Sequence, residues 1–64
     1  MDYVINIGSR IQDMFKYANY DYVFKKIPVI MNEYKKWYSA DNVEFISLSP
    51  ECLTIKCINC KINK

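Results

Sequence analysis

Residues 21–38 constrain the fold of this chain most, because their apolar side chains recur with the period of an α-helix. At about 100° per residue, eight apolar residues of this segment fall in one arc of about 140° that contains no charge. These residues are Val23, Phe24, Ile27, Ile30, Met31, Tyr34, Trp37 and Tyr38. A strand does not sort them, since Lys25-Lys26 and Lys35-Lys36 would put charge on both of its faces. The pattern predicts a helix over 22–38, with Asp21 as its N-cap and the arc as its buried side.

Pro28 lies inside this predicted helix. A proline there removes one backbone hydrogen bond and clashes with the preceding turn, which costs about 3 kcal/mol. Pro28 falls on the solvent side of the wheel, where a kink leaves the buried arc intact. The alternative is a break, with a turn over 22–26 and a new helix that has Pro28 in its first turn. The residues do not decide between kink and break.

Residues 3–18 show the same helical period. Their apolar arc contains Tyr3, Val4, Ile7, Ile11, Met14, Phe15, Tyr17 and Ala18. Because the arc continues through Gly8, we expect one helix over 3–18, capped by Asp2. The alternative is a strand over 3–7 that ends at Gly8, followed by a helix with a Ser9/Gln12 capping box.

The C-terminal third of the chain is rich in β-branched residues and predicts two strands, over 43–48 and 53–62, around a turn at Ser49-Pro50-Glu51. Apolar residues change parity after Cys57, so we expect a β-bulge near Cys57-Ile58. A helix that begins at Ser49 is the alternative. The predicted fold class is α+β: an antiparallel αα-hairpin followed by a C-terminal β-hairpin (ααββ), in one small domain over 1–64.

Composition favours a second buried surface. The chain has 64 residues, of which 52% are hydrophobic and 16% aromatic. A chain of this size buries only about 60% of its unfolded surface when it folds alone. We therefore expect either a homodimer or a bound protein partner, although a small core also needs dense apolar content.

Charge and hydropathy indicate the setting. The formal net charge of +2 is well below that of a dedicated nucleic-acid binder. No apolar run reaches the ~18 residues of a membrane span, and no signal-peptide pattern is present. Three cysteines form no even disulfide set. These features predict a cytoplasmic protein without a membrane partner.

The residues for common catalytic chemistry are missing from the sequence. It has no histidine, and Gly8 is its only glycine, so neither a histidine proton shuttle nor a glycine-rich phosphate loop can form. No pair of carboxylates has helix spacing suited to acid–base work. We predict that the chain is not an enzyme and uses no cofactor.

The three cysteines are weak candidates for a metal site. Cys57 and Cys60 form a C-x-x-C pair, and Cys52 precedes them by five residues. Zinc prefers four ligands, so a site would need a carboxylate or a second chain. Buried or idle thiols are the preferred interpretation, and we predict no metal within one chain.

One side of the long predicted helix has the composition of a binding surface. Its residues lie within about 80° of one another and combine apolar and cationic side chains. The predicted partner-binding residues are Tyr22, Lys25, Val29, Asn32 and Lys36. A nucleic-acid surface is the alternative, and its candidate residues are Tyr20, Lys25, Lys26, Lys35 and Lys36. An ordinary solvated helix face would look similar.

These features together predict a small non-enzymatic protein-binding module. More than half of the residues are of types with AT-rich codons, which is typical of many phages, viruses and mobile elements. In that setting the module would be an inhibitor of a host factor in the host cytoplasm. The alternatives are a small nucleic-acid-binding protein and an oligomer bridged by zinc through its C-terminal cysteines.

Overall fold

The computed structural model describes residues 1–61 and contains two helices and three strands. The elements in chain order are β1 (Tyr3–Ile7), α1 (Ser9–Tyr17), α2 (Tyr20–Trp37), β2 (Asn42–Leu48) and β3 (Leu53–Ile58). The strands form one antiparallel sheet in the order β1-β3-β2. The predicted α+β class is therefore confirmed, and both the helix pair and the C-terminal hairpin are present. The sheet gains a first strand, β1, that the predicted arrangement lacked.

The prediction of one helix over 3–18 was wrong at its start. Residues 3–7 form β1, in which Ile5 lies opposite Ile55 and Ile7 opposite Leu53 of β3. Gly8 separates this strand from α1, as the alternative interpretation had it. Asp2 caps no helix, because its carboxylate instead accepts the backbone N–H of Asn59 at 2.8 Å. Over five residues the helical and strand periods give similar apolar patterns, and pairing with β3 decided the outcome.

The long helix was predicted nearly correctly. It runs without a break through Pro28, so the broken alternative was wrong. It begins two residues before the predicted start, because the side chain of Asn19, and not Asp21, accepts the Tyr22 N–H at 3.0 Å. It ends in a Schellman motif around Ser39, which has a φ of 49°, where the Ala40 N–H bonds the Lys35 carbonyl at 3.0 Å.

The core lies between the two helices and one face of the sheet. Its buried residues are Ile7, Ile11, Val23, Ile27, Ile30, Ala40, Leu53, Ile55, Cys57 and Cys60. The centre of the predicted α2 arc is buried, but its two edges are not: Phe24 is 54% exposed and Trp37 is 63% exposed. One sheet face therefore covers less of α2 than the 140° arc that the sequence offers.

The predicted bulge lies in the other strand. The register shifts in β2, between Phe45 and Ser47, and not near Cys57. β3 ends at Ile58, short of the predicted 62, and the left-handed Asn59 (φ 55°) turns the chain so that Cys60 is buried. Ile62 lies outside the described residues.

Asn59 and Lys61 join the segment after β3 to Asp41, just before β2. The Asn59 side chain and the Lys61 ammonium both donate hydrogen bonds to the carboxylate of Asp41. These hydrogen bonds lower the pKa of Asp41, and the bond from Lys61 has the largest effect.

No helix within residues 1–61 is both long enough and apolar enough to cross a membrane.

Candidate functional site

The outward side of α2 carries the predicted partner-binding residues, which we call the α2 stripe: Tyr22, Lys25, Val29, Asn32 and Lys36. All five are exposed, and Tyr22 and Val29 keep 47% and 52% of their surface accessible. Their spacing alternates between three and four residues. This spacing is typical of the seam between two packed helices.

A groove runs between α1 and α2 beside the stripe, and we call it the helical groove. It consists of two adjoining clefts that share Met14 and Tyr22. The larger, of about 640 Å³, is lined by Asp13, Met14, Tyr17, Ala18, Asn19 and Tyr22. The smaller, of about 330 Å³, is lined by Arg10, Met14, Tyr22, Lys26, Val29 and Ile30. Tyr22 and Val29 belong to both the groove and the α2 stripe, so the two form one continuous surface.

The groove is held in shape by contacts between the helices and with the sheet. The Arg10 guanidinium donates to the Glu33 carboxylate at 2.7 Å and so joins α1 to α2. At the other end, the ring of Phe15 packs against Tyr20 with a centroid distance of 5.3 Å. The Tyr20 hydroxyl donates to the Leu48 carbonyl at 2.9 Å, which ties this end to β2. The helices therefore present the groove on a braced surface.

The lysines of α2 give this surface a positive charge. Salt bridges in the described part of the chain join Arg10, Lys16, Lys56 and Lys61 to carboxylates. None of these bridges involves Lys25, Lys26, Lys35 or Lys36 of α2, all of which are exposed. Lys26 lies over the ring of Tyr22, at 5.4 Å from its centroid, which places a cation at the groove wall.

The predicted nucleic-acid set is only partly gathered on one surface. Its four lysines are exposed on α2, but Lys26 lines the helical groove whereas Lys35 lines a different cleft, between α2 and β2. Tyr20 is 46% exposed, yet its ring contacts Phe15 and its hydroxyl is bonded to Leu48. A base could not stack freely on this tyrosine without releasing those contacts.

The structure adds an exposed aromatic pair, of which one member, Phe24, was predicted to be buried. Phe24 of α2 stacks on Phe45 of β2 at 6.2 Å between ring centroids, and both remain about half exposed. Phe24 lay at the edge of the predicted buried arc, which was the one available sign of its exposure. At the opposite edge, Trp37 contacts Tyr34 at 5.1 Å and is otherwise open to solvent.

The three cysteine thiols do not converge. Cys57 and Cys60 are buried on the helix side of the sheet, and the Cys60 thiol donates to the Cys57 carbonyl at 3.6 Å. Cys52 contacts Thr54. Thr54 alternates with the buried Leu53 and Ile55, so its side chain lies on the face of the sheet opposite the helices. Within residues 1–61 no three side chains of the metal-binding types form a group that could hold an ion.

The environments of these thiols predict unequal reactivity. Burial raises the pKa of the Cys57 thiol, and Cys60 raises it further. Because the thiolate is the reactive form, we expect a thiol reagent to modify Cys52 first in the folded protein. Cys57 and Cys60 should react only after denaturant is added. Mass spectrometry of the labelled chain checks this order, and Cys52→Ser should abolish the fast phase. Fast labelling of Cys57 in the native state would contradict the buried placement.

Comparisons with known proteins give no relative for this chain: no family model matches it, and neither a curated protein nor a solved structure does. The surface formed by the α2 stripe and the helical groove is therefore the feature that indicates a function.

Proposed function

We propose that this chain is a small non-enzymatic protein-binding module, and that its partner presents an acidic amphipathic helix. The observation that carries the proposal is the pairing of exposed Tyr22 and Val29 with α2 lysines that form no salt bridge to a carboxylate of the described residues. The apolar side chains supply contact area, and the lysines select the charge of what binds.

The shape of the surface favours a helix as the bound element. The α2 stripe has the spacing of a helix–helix seam, and the helical groove lies along the same side of α2. Tyrosine is enriched among residues that dominate binding energy, because it offers a large rigid surface with little side-chain entropy to lose. Tyr22 stands where stripe and groove meet, so we expect it to contribute most to binding.

The charge of the partner follows from the lysines. Lys25 and Lys26 lie one helical turn from both Tyr22 and Val29, and Lys36 lies two turns beyond Val29. A partner helix with glutamates flanking its apolar side would place opposite charges near these lysines. Such complementarity raises the association rate and rejects basic partners. The partner is therefore expected to be acidic as well as amphipathic.

Composition and size favour a phage, a virus or a mobile element as the biological setting. The AT-rich residue composition and the small size suit a phage, virus or mobile element, in which the chain would inhibit a host factor in the host cytoplasm by covering its surface. The proposal also includes self-association as a homodimer, supported by the exposed apolar residues outside the groove: Val4, Phe24, Trp37, Phe45 and Ile46.

A designed helical peptide with a leucine seam and flanking glutamates tests the binding surface directly. Fluorescence anisotropy should show binding to the wild-type chain and at least about tenfold weaker binding to the double variant Tyr22→Ser/Val29→Ser. The matched control is Trp37→Ser/Ile46→Ser, which removes side chains of similar exposure away from the groove and should leave binding unchanged. A peptide with lysine in place of each glutamate should bind poorly.

The same assay separates the alternatives. Equal binding of the acidic and basic peptides, or equal losses in both double variants, would overturn the proposed surface. A single-stranded oligonucleotide that binds in place of the peptide, with affinity that falls steeply as salt rises, would favour the nucleic-acid function instead. The observation in favour of that second candidate is the set of unbridged lysines on α2.

A further inference from the structure

β1 lies at one edge of the sheet. In the described part of the chain it pairs only with β3, so alternate backbone groups of Tyr3–Ile7 point away from the sheet without a strand partner. The strand contains no charge, no proline and no bulge. Natural edge strands usually carry one of these features, because an open row of backbone donors and acceptors recruits another strand.

The other edge of the sheet has two of these features, a charge and a bulge. β2 carries Glu44 and is interrupted by the register shift between Phe45 and Ser47. A bulge bends an edge strand and breaks its row of pairing groups. The sheet therefore favours strand addition at β1 over strand addition at β2.

We propose that β1 is the homodimer interface, where two copies pair antiparallel about a two-fold axis at Ile5 and form one six-stranded sheet. This inference rests on the self-association included in the proposed function and names the surface that makes it. In this register every residue of β1 has a partner: Ile5 faces Ile5 of the second copy, Tyr3 faces Ile7, and Val4 faces Asn6.

A second copy of the chain suits this edge because the side chains of two antiparallel β1 strands match each other on both faces of the sheet. Residues opposite each other in an antiparallel pair share a face, so Tyr3, Ile5 and Ile7 of both copies would lie together on the helix side. Val4, which is 60% exposed, would lie beside Asn6 of the second copy on the other face. No like charges meet anywhere along the pairing.

The ends of the strand support the same register. It places Asp2 opposite Gly8 of the second copy, at the N-terminal end of α1. That end has no side-chain cap and no acidic residue in its first turn. Asp2 keeps its bond to the Asn59 N–H, so it would act here only as a nearby negative charge, which the N-terminus of a helix favours.

Two double variants that introduce charges of opposite sign into β1 test the register. In Val4→Lys/Asn6→Lys each new lysine would face a lysine of the second copy, and in Val4→Glu/Asn6→Glu each glutamate would face a glutamate. We expect each double variant alone to dimerise at least about tenfold more weakly than wild type. An equimolar mixture of the two should recover the dimer, because every pair that faces across the interface then has opposite charge. Ser47→Lys, at an exposed position of β2, is the control and should dimerise as wild type does.

Sedimentation velocity over a wide concentration range gives the readout, with mass rising from 7.7 kDa per chain toward twice that value. Circular dichroism reports whether each variant folds. A wild-type dimer that persists in both double variants, or a mixture that stays monomeric, would overturn the β1 interface and leave the proposed function intact. A wild-type chain that stays monomeric throughout would remove self-association and the interface together, without bearing on peptide binding.

Hydrogen exchange on the wild-type chain supplies a measurement that needs no variant. Alternate amides of residues 3–7 should exchange more slowly as concentration rises, while β2 amides should not change. Concentration-dependent protection confined to β2 would mean that the chains pair through β2, and the β1 interface would be wrong.

Discussion

Replacement of Ile55 by alanine is expected to lower the free energy of unfolding by about 3–4 kcal/mol, within the range measured for buried isoleucine and leucine truncations. Ile55 is fully buried in β3, the central strand, where it lies opposite Ile5 on one side and Phe45 on the other. A chain of this length has a total stability of roughly 3–10 kcal/mol. The variant should therefore lose about a third of its stability or more, and its urea midpoint should fall accordingly.

Urea denaturation followed by far-ultraviolet circular dichroism measures this change. The control is Val29→Ala, which truncates another β-branched residue at a site that is 52% exposed, and it should shift stability by less than about 0.5 kcal/mol. A loss at Ile55 no larger than that at Val29 would mean that the central strand does not form the core as described.

Replacement of Pro28 by alanine is expected to stabilise the chain by about 2 kcal/mol. Pro28 is the ninth residue of the 18-residue α2, so it denies the helix an interior hydrogen bond. A helix-interior proline costs about 3 kcal/mol, against which its restriction of the unfolded chain recovers about 0.4–1 kcal/mol. Pro28 is exposed at the cleft between α2 and β2, so little packing is lost with its ring.

The urea midpoint should rise for Pro28→Ala with an unchanged denaturant slope, since the same surface is exposed on unfolding. Val29→Ala again serves as the neighbouring control. A lower midpoint would show that the proline ring contributes packing or a helix geometry that the fold requires. In that case the same variant should also weaken peptide binding, because the path of α2 sets the position of Tyr22 relative to the groove.

The proposed functions use separate parts of the surface. The α2 stripe and helical groove lie on the helical layer, whereas the β1 edge lies at one side of the sheet. A dimer formed through β1 would carry two grooves on the same side of the continuous sheet, because a two-fold axis through paired antiparallel strands is perpendicular to the sheet. Two grooves held in one assembly would increase the apparent affinity for a partner with repeated acidic helices.

Local sequence patterns were enough to predict α2 and the C-terminal hairpin. The 18 residues of α2 extend over five helical turns, so their period is unambiguous, and the lysine pairs exclude a strand. β2 and β3 are joined by a short turn and could be recognised from adjacent residues. The exposure of the α2 stripe followed from the same wheel, because charged residues mark the solvent side.

The placement of residues 3–7 could not be decided in the same way. Five residues are too few to separate a helical period from a strand period. The partner that decides the matter, β3, lies about fifty positions later in the chain. The exposure of Phe24 and Trp37 depended likewise on the width of the sheet beneath α2, which no local pattern specifies.

Features that depend on residues close together in the chain could thus be predicted from the sequence alone. They are the long amphipathic helix, the terminal hairpin, and the lysines beside Tyr22 and Val29. Contacts between distant residues were decided only by packing, among them the pairing of β1 with β3, the groove between α1 and α2, and the separation of Cys52 from the two buried thiols. The reason is physical. A helix or a tight turn satisfies its backbone hydrogen bonds within a few residues, whereas an edge strand depends on a partner that only the folded chain brings beside it.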